Sequence, residues 1–306
     1  MKNILLFICD SLRADYLTPE TTPNLWRLKE DWWSYDQCIS GNSCTELSLP
    51  VMISGSRKYD PRDSIMTDLK KLGYTSTLLH SNPKVHRFRE GWDEVIDFHK
   101  ETAKQKKKIR RLLRKYTTKA ILDRVTEFAN LEDQKDYLPY TRAFEKLDYL
   151  EDNEPGSPSF QWVHLMDPHL PYYPIGSKLS HEDLVHINSR HVDAVHERIE
   201  PGTDDVSTWL RLYGAEITEM DQYMGEYLKK VDLEKTTVLI TSDHGEEFGE
   251  HGEYSHPGDK FVPELVHVPM VVLGEAKGST EKMFSHYSLR RIINRIASDG
   301  FEDELE

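Results

Sequence analysis

Apolar runs rich in β-branched residues recur along the chain, and most of them stop abruptly at polar residues. Ile4–Ile8 leads to Asp10, and Thr75–Leu79 leads to His80, Ser81 and Asn82. Phe160–Leu165 leads to Asp167 and His169, Thr237–Ile240 to Ser242, Asp243 and His244, and Val268–Leu273 is a further run. Runs of this length, bounded by turn residues, predict buried strands. Helical patterns lie between them at Thr22–Lys29, Ser64–Leu72 and Leu210–Leu228. Strands alternating with helices predict an α/β fold, a mostly parallel sheet sandwiched by helices. In such sheets ligands bind outside the carboxyl ends of the strands. Asp10, Asp167, His169, Asp243 and His244 all stand at predicted carboxyl ends, so the topology brings them to one edge.

Bulk properties narrow the picture. The 306 residues contain no Gly/Ser or Pro-rich linker, and we read residues 1–306 as a single catalytic domain with a basic helical insertion at about 100–150. Three cysteines, Cys9, Cys38 and Cys44, make a disulfide framework unexpected and predict a reducing, cytoplasmic setting. The apolar start is too short for a signal peptide and ends in Asp10, so it predicts a first strand. A net charge of -14 disfavours a nucleic-acid partner. One segment departs from this acidity: Lys100–Lys119 reads KETAKQKKKIRRLLRKYTTK, with Ile109, Leu112, Leu113 and Tyr116 at helical spacing. It predicts either an amphipathic helix meeting an anionic surface or polymer, or a solvated insertion.

The stretch TSDHGEEFGEHGEYSH, Thr241–His256, concentrates the chemistry. The glutamates alone fit a solvated loop. Asp243 and His244 at a strand end, joined there by Asp10, make a set suited to a divalent cation. Gly245, Gly249 and Gly252 would let backbone pass close to an ion or ligand. Ser43, Cys44 and Thr45 are adjacent nucleophile candidates, or an N-cap cluster, ahead of an apolar run in which Pro50 sets the expected helix start. His169 and His256 are candidates for binding a substrate oxyanion or protonating a leaving group. Asp167 is a further substrate-side candidate, and His164 and His251 are weaker ones.

These segments resemble the alkaline phosphatase/sulfatase superfamily over most of the chain. ICDSLRADYL is similar to its first strand, and TPNLWRLKED to the helix that follows. GYTSTLLHSNP, GWDEVIDF, YGAEITEMDQYMGEYL, TSDHGEEFGEHG and VHVPMVV are similar to later signatures. The resemblance implies Asp10, Asp243 and His244 as metal ligands. It selects Thr45 as nucleophile and metal contact, because TELSLPVMIS is similar to the nucleophile segment of phosphoethanolamine transferases. The same enzymes imply His256 in the substrate shell. Cys44 lacks the following Pro and Arg of the formylglycine motif, so formylglycine is not expected.

Together these readings imply a metal-dependent hydrolase or transferase acting on phosphate mono- or diesters, with a small-molecule, lipid-linked or polymer-linked anionic substrate. The mixed donor set leans to zinc or manganese over calcium or magnesium. Sulfate-ester hydrolysis is the alternative reaction. A catalytically silent module for anionic surfaces is the alternative of another class.

Overall fold

The computed structural model describes residues 1–98 and 140–298. Strands are β1 (Asn3–Cys9), β2 (Trp33–Ile39), β3 (Thr75–His80), β4 (Glu94–Asp97), β5 (Ser159–Leu165), β6 (Thr236–Thr241), β7 (Met270–Leu273) and β8 (Gly278–Ser285). They form one sheet in the order β4-β3-β5-β1-β6-β7-β2-β8. The β6–β7 and β2–β7 pairings are antiparallel and the others parallel. Helices are α1 (Pro23–Asp31), α2 (Thr45–Ser54), α3 (Ile65–Lys71), α4 (Ala143–Asp152), α5 (His181–Val195), α6 (Thr203–Leu228), α7 (Pro263–Val266) and α8 (Leu289–Ser298). The sheet is thus α/β and mostly parallel, as the run pattern predicts.

Strand β1 shows why the sheet carries two cores. Side chains alternate across a strand. Leu5, Phe7 and Cys9 face a layer that includes Leu147 and Leu150 of α4 and Tyr213, Ile217 and Met220 of α6. Ile4, Leu6 and Ile8 face Leu49 and Met52 of α2, Ile65 and Leu69 of α3, and Ile292 and Ile293 of α8. Each such side chain, fully removed from water, contributes about 1.5–3 kcal/mol. That burial on both faces explains why the strand reads as an unbroken apolar run.

Helix α2 differs from its expected start. It begins at Thr45, not near Pro50, and carries Pro50 inside. Pro50 removes one backbone bond, but Leu49, Pro50, Val51, Met52 and Ile53 are all buried. Tertiary packing therefore outweighs the local cost. The predicted Val268–Leu273 run is a strand only from Met270 and runs antiparallel to β6. Of the proposed insertion, 99–139, with Lys100–Lys119, lies outside the described residues. Residues 143–152 form α4, whose Ala143, Leu147 and Leu150 belong to the core. Among the described residues no helix is long and apolar enough to cross a membrane.

Candidate active site

Strands β5, β1 and β6 lie side by side at the centre of the sheet, with Ile8 in register with both His164 and Thr241. Their carboxyl ends therefore place Asp10, His164 and Asp243 together, all fully buried. One ligating atom from each lies within 4.8 Å of the other two. His164 Nε2 is 3.0 Å from Asp10 Oδ2. His244 Nε2 is 3.5 Å from Asp10 Oδ1 and 3.6 Å from Asp243 Oδ2. Thr45 Oγ1, on the first residue of α2, is 3.1 Å from the same His244 nitrogen. The four residues expected to surround a metal therefore share one pocket. His164, one of the weaker expectations, is the addition.

The turns that hold these groups are stiff. Ser11, immediately after Asp10, has φ 65°, a left-handed conformation costing a non-glycine residue about 1–3 kcal/mol. Ser242 Oγ accepts from Leu12 N at 2.9 Å and lies 2.5 Å from both Cys9 O and His244 O. One hydroxyl thus ties the turn after β1 to the turn after β6. Gly245 has a different reason from the expected approach to a ligand. A Cβ there would lie 2.0 Å from Glu264 O, so a backbone neighbour occupies the space. Gly249 and Gly252 have φ of 100° and 88°, which glycine adopts without strain.

Glu250 and Glu253 are exposed, but the other two glutamates of this stretch are not part of a solvated face. Glu246 and Glu247 are buried. Glu247 Oε1 accepts from His251 N and Glu253 N, and its Oε2 is 2.7 Å from Lys260 Nζ. Arg13 holds the same loop by donating to Glu246 O and Glu250 Oε1. The loop is acidic because carboxylates satisfy its backbone N–H groups. His251 is 2.9 Å from Glu264 on the exposed side.

Of the three nucleophile candidates, Ser43 donates its hydroxyl to Pro257 O at 2.6 Å and accepts from Lys260 N. It is a loop tie. Cys44 is the N-cap of α2, and burial pushes its thiol up. Thr45 alone places its oxygen against the Asp/His cluster.

A cavity of about 240 Å³ opens beside this cluster, lined among others by Asn82, Lys84, Tyr140, His169, Glu246 and His256. His169 and His256 face each other with ring centroids 5.1 Å apart, and His256 lies 4.4 Å from the His244 ring. Asn82 donates to Asp10 Oδ2 at 3.3 Å. Asp167, expected on the substrate, instead accepts from Ala143 N at the start of α4 and lies 4.0 Å from Arg142. It is 1% exposed and anchors that helix. Asn82, Lys84, Tyr140 and Glu246 line the cavity without having been expected as site residues. Tyr140 is fixed by its hydroxyl, which lies 2.7 Å from both His169 O and Pro171 O and donates to one of them. Only Asn82, two residues beyond a strand end, carried a usable signal.

The electrostatics fit this division. Burial would raise Asp10, but His169, the bond from His164 and the nearby His244 outweigh it and hold the carboxyl well below its usual range. Glu246 is pushed up to about 7 by burial, against the opposing pull of His169 and His244. Burial takes His256, 3.0 Å from Glu246, down to about 3. The dyad is therefore neutral over the acid side of the neutral range, with its proton on Glu246.

The donor set suits a divalent metal on its own chemistry. His244 Nδ1 is 2.8 Å from Gly245 O, which places the proton on that nitrogen and leaves the Nε2 lone pair facing the carboxylates. Asp243 Oδ2 is buried and has no hydrogen-bond partner. An orphaned carboxylate oxygen beside a ligating nitrogen is costly unless a cation completes it.

Comparison with known proteins bears on the family and the fold. The Sulfatase family model matches residues 2–298. Among solved structures, a phosphonate monoester hydrolase from Silicibacter pomeroyi is similar at TM-score 0.65 and 17% identity, covering 99% of this chain and 74% of that one. The soluble domain of lipooligosaccharide phosphoethanolamine transferase A from Neisseria meningitidis is similar at TM-score 0.59 and 17% identity, covering 96% and 86%. The C-terminal periplasmic domain of EcEptC from Escherichia coli, in complex with Zn, is similar at TM-score 0.65 and 14% identity, covering 98% and 84%. These likenesses show the fold. No curated protein matches the sequence.

Proposed function

The chain belongs to the sulfatase family, and on that premise we propose that it is a metal-dependent hydrolase or transferase of phosphate mono- or diesters, with Thr45 as nucleophile. The observation that carries the reading is Thr45 Oγ1 at 3.1 Å from His244 Nε2, beside the buried Asp10, His164 and Asp243. Two of the similar structures are named for phosphorus esters, a phosphonate monoester hydrolase and a phosphoethanolamine transferase.

Asp10, Asp243, His244 and His164 would hold the cation. When bound, zinc or manganese lowers the cost of ionising a hydroxyl and polarises a phosphoryl oxygen. The protein's own groups do the rest. Thr45 Oγ attacks phosphorus in line, forming a phosphothreonine as the bond to the leaving alcohol breaks. The start of α2 adds positive partial charge where the phosphoryl group gathers negative charge. His169 Nδ1 is 2.5 Å from Leu170 O, so its proton sits there. His256 is turned by Glu246, whose carboxyl proton is donated to Nδ1 as a hydrogen bond, so the neutral ring carries its own proton on Nε2, where it can stabilise an equatorial oxygen or the leaving oxygen. Water, or a second alcohol, then releases the phosphoryl group from Thr45.

The test is turnover of p-nitrophenyl phosphate, bis-p-nitrophenyl phosphate and p-nitrophenyl sulfate by metal-stripped protein re-supplied with Zn, Mn, Mg or Ca. Metal-dependent cleavage of a phosphate ester, abolished in Thr45→Ala with the fold intact, is expected. Wild-type turnover in that variant removes Thr45 as nucleophile. Cleavage of the sulfate alone overturns the substrate class.

A further inference from the structure

Three ligating side chains that the proposed reaction does not use meet at the neighbouring strand ends. His80 ends β3 and is in register with Asp97, which ends β4. His86 lies in the short turn after β3. His80 Nε2 is 3.2 Å from His86 Nδ1, and His86 Nδ1 is 3.6 Å from Asp97 Oδ2. The three donor atoms all fall within 4.8 Å of one another. A tetrahedral ion bound at about 2.0–2.1 Å sets its ligands about 3.3 Å apart, so the spacing matches donors converging on one point.

We propose that His80, His86 and Asp97 form a second divalent metal site, of the zinc class, separate from the Asp10 cluster. Two imidazoles and one carboxylate suit zinc and its late transition-metal neighbours, and supply too few oxygens for calcium. His80 is 1% exposed, and its other nitrogen, Nδ1, has no hydrogen-bond partner among the described residues. The buried ring is thus not anchored elsewhere. His86 and Asp97 keep 26% and 14% of their side-chain surfaces, which gives an ion a route from solvent. Strand β4 is the sheet's edge and pairs only with β3 among the described residues. An ion here would clip that edge to the 81–86 turn. The turn carries Asn82, whose backbone carbonyl accepts from His86 N and whose side chain donates to Asp10. The site would therefore steady one wall of the active site without touching the substrate.

The inference does not depend on the reaction proposed above. Its test is metal stoichiometry on chelator-stripped full-length protein, titrated with Zn and with Co as a spectroscopic probe. The comparison is wild type against His86→Ala, and both against Asp10→Asn/Asp243→Asn. Expected is one equivalent fewer in His86→Ala than in wild type. In the Asp10→Asn/Asp243→Asn background, one equivalent with tetrahedral Co absorption remains and disappears on adding His86→Ala. If that background does not fold, the difference between wild type and His86→Ala decides alone. Failure of the Asp10 site to bind lowers both totals and leaves the difference intact. Equal metal content in wild type and His86→Ala overturns the proposal.

Discussion

Ser242 offers the sharpest test of how the site is held. Its hydroxyl is fully buried, accepts from Leu12 N and reaches two carbonyls, those of Cys9 and His244. A hydroxyl has one proton to donate, so Ser242→Ala removes one accepted and one donated bond. Leu12 N–H and one carbonyl are left buried without a partner. At about 1–3 kcal/mol for each such group, with some relaxation, the loss comes to about 2–4 kcal/mol. For a chain of this size, at about 2 °C per kcal/mol, thermal unfolding should shift down by about 4–8 °C. The same hydroxyl fixes the turns that carry Asp10 and Asp243. Loss of such an outer support costs about 10–100-fold in metal affinity. Calorimetric unfolding of the metal-free protein and zinc titration read the two effects separately. A lowered melting temperature with unchanged zinc affinity would reduce Ser242 to a structural tie. No change in either would refute the reasoning.

Other consequences follow from the same geometry. Gly245→Ala drives a Cβ to 2.0 Å from Glu264 O; it should destabilise by about 3 kcal/mol or more. Gly252→Ala, with open space but φ 88°, should lose only about 1–2 kcal/mol, and the reverse ranking in denaturant melts would contradict the model of the turn. His164→Ala should weaken zinc binding by at least about 10-fold while leaving Thr45 in place; unchanged affinity would remove His164 from the ligand set. His191 and His286 are buried, and burial takes their pKa down to about 4 and about 3 from 6.5. The unfolded chain therefore binds protons that the folded one refuses, so their stabilising contribution is present above pH 6.5 and is lost as pH falls. From about pH 7.5 to about pH 5.5 each should cost about 1.4 kcal/mol. His286→Gln should accordingly lose about that much less over the same window, and an identical pH slope would show that His286 is not held neutral.

What could be read from the residues was what strict alternation and burial impose. β1, β5 and β6 sit in the middle of the sheet, so their apolar runs are continuous and their polar ends conspicuous. That is why Asp10, Asp243 and His244 were legible as one set. β2 and β8 were not, because WSYDQCI and GSTEKMFS carry polar residues through the run, and β8 forms an edge with much of one strand in solvent. His164 stayed a weaker candidate because it lies inside an apolar strand, where a histidine reads as core. Its register with Ile8 puts it on the side of the sheet where Asp10 lies, 3.0 Å away. Asp167 misled for the opposite reason: its strand-end position matches Asp10, but its partner is a helix start that local pattern does not place. Glu246 and Glu247 look solvated in any composition count, and only the loop's folding back on itself buries them.

The strand order also governs when the site can exist. β1 is made more than two hundred residues ahead of its neighbour β6 (Asn3–Cys9 against Thr236–Thr241). Until β6 arrives, one flank of a fully apolar central strand stays open, a template for pairing with other chains. Asp10 spends that interval without Asp243 or His244 beside it. Ion binding at this centre would thus mark completion of the sheet, making it a readout of productive synthesis.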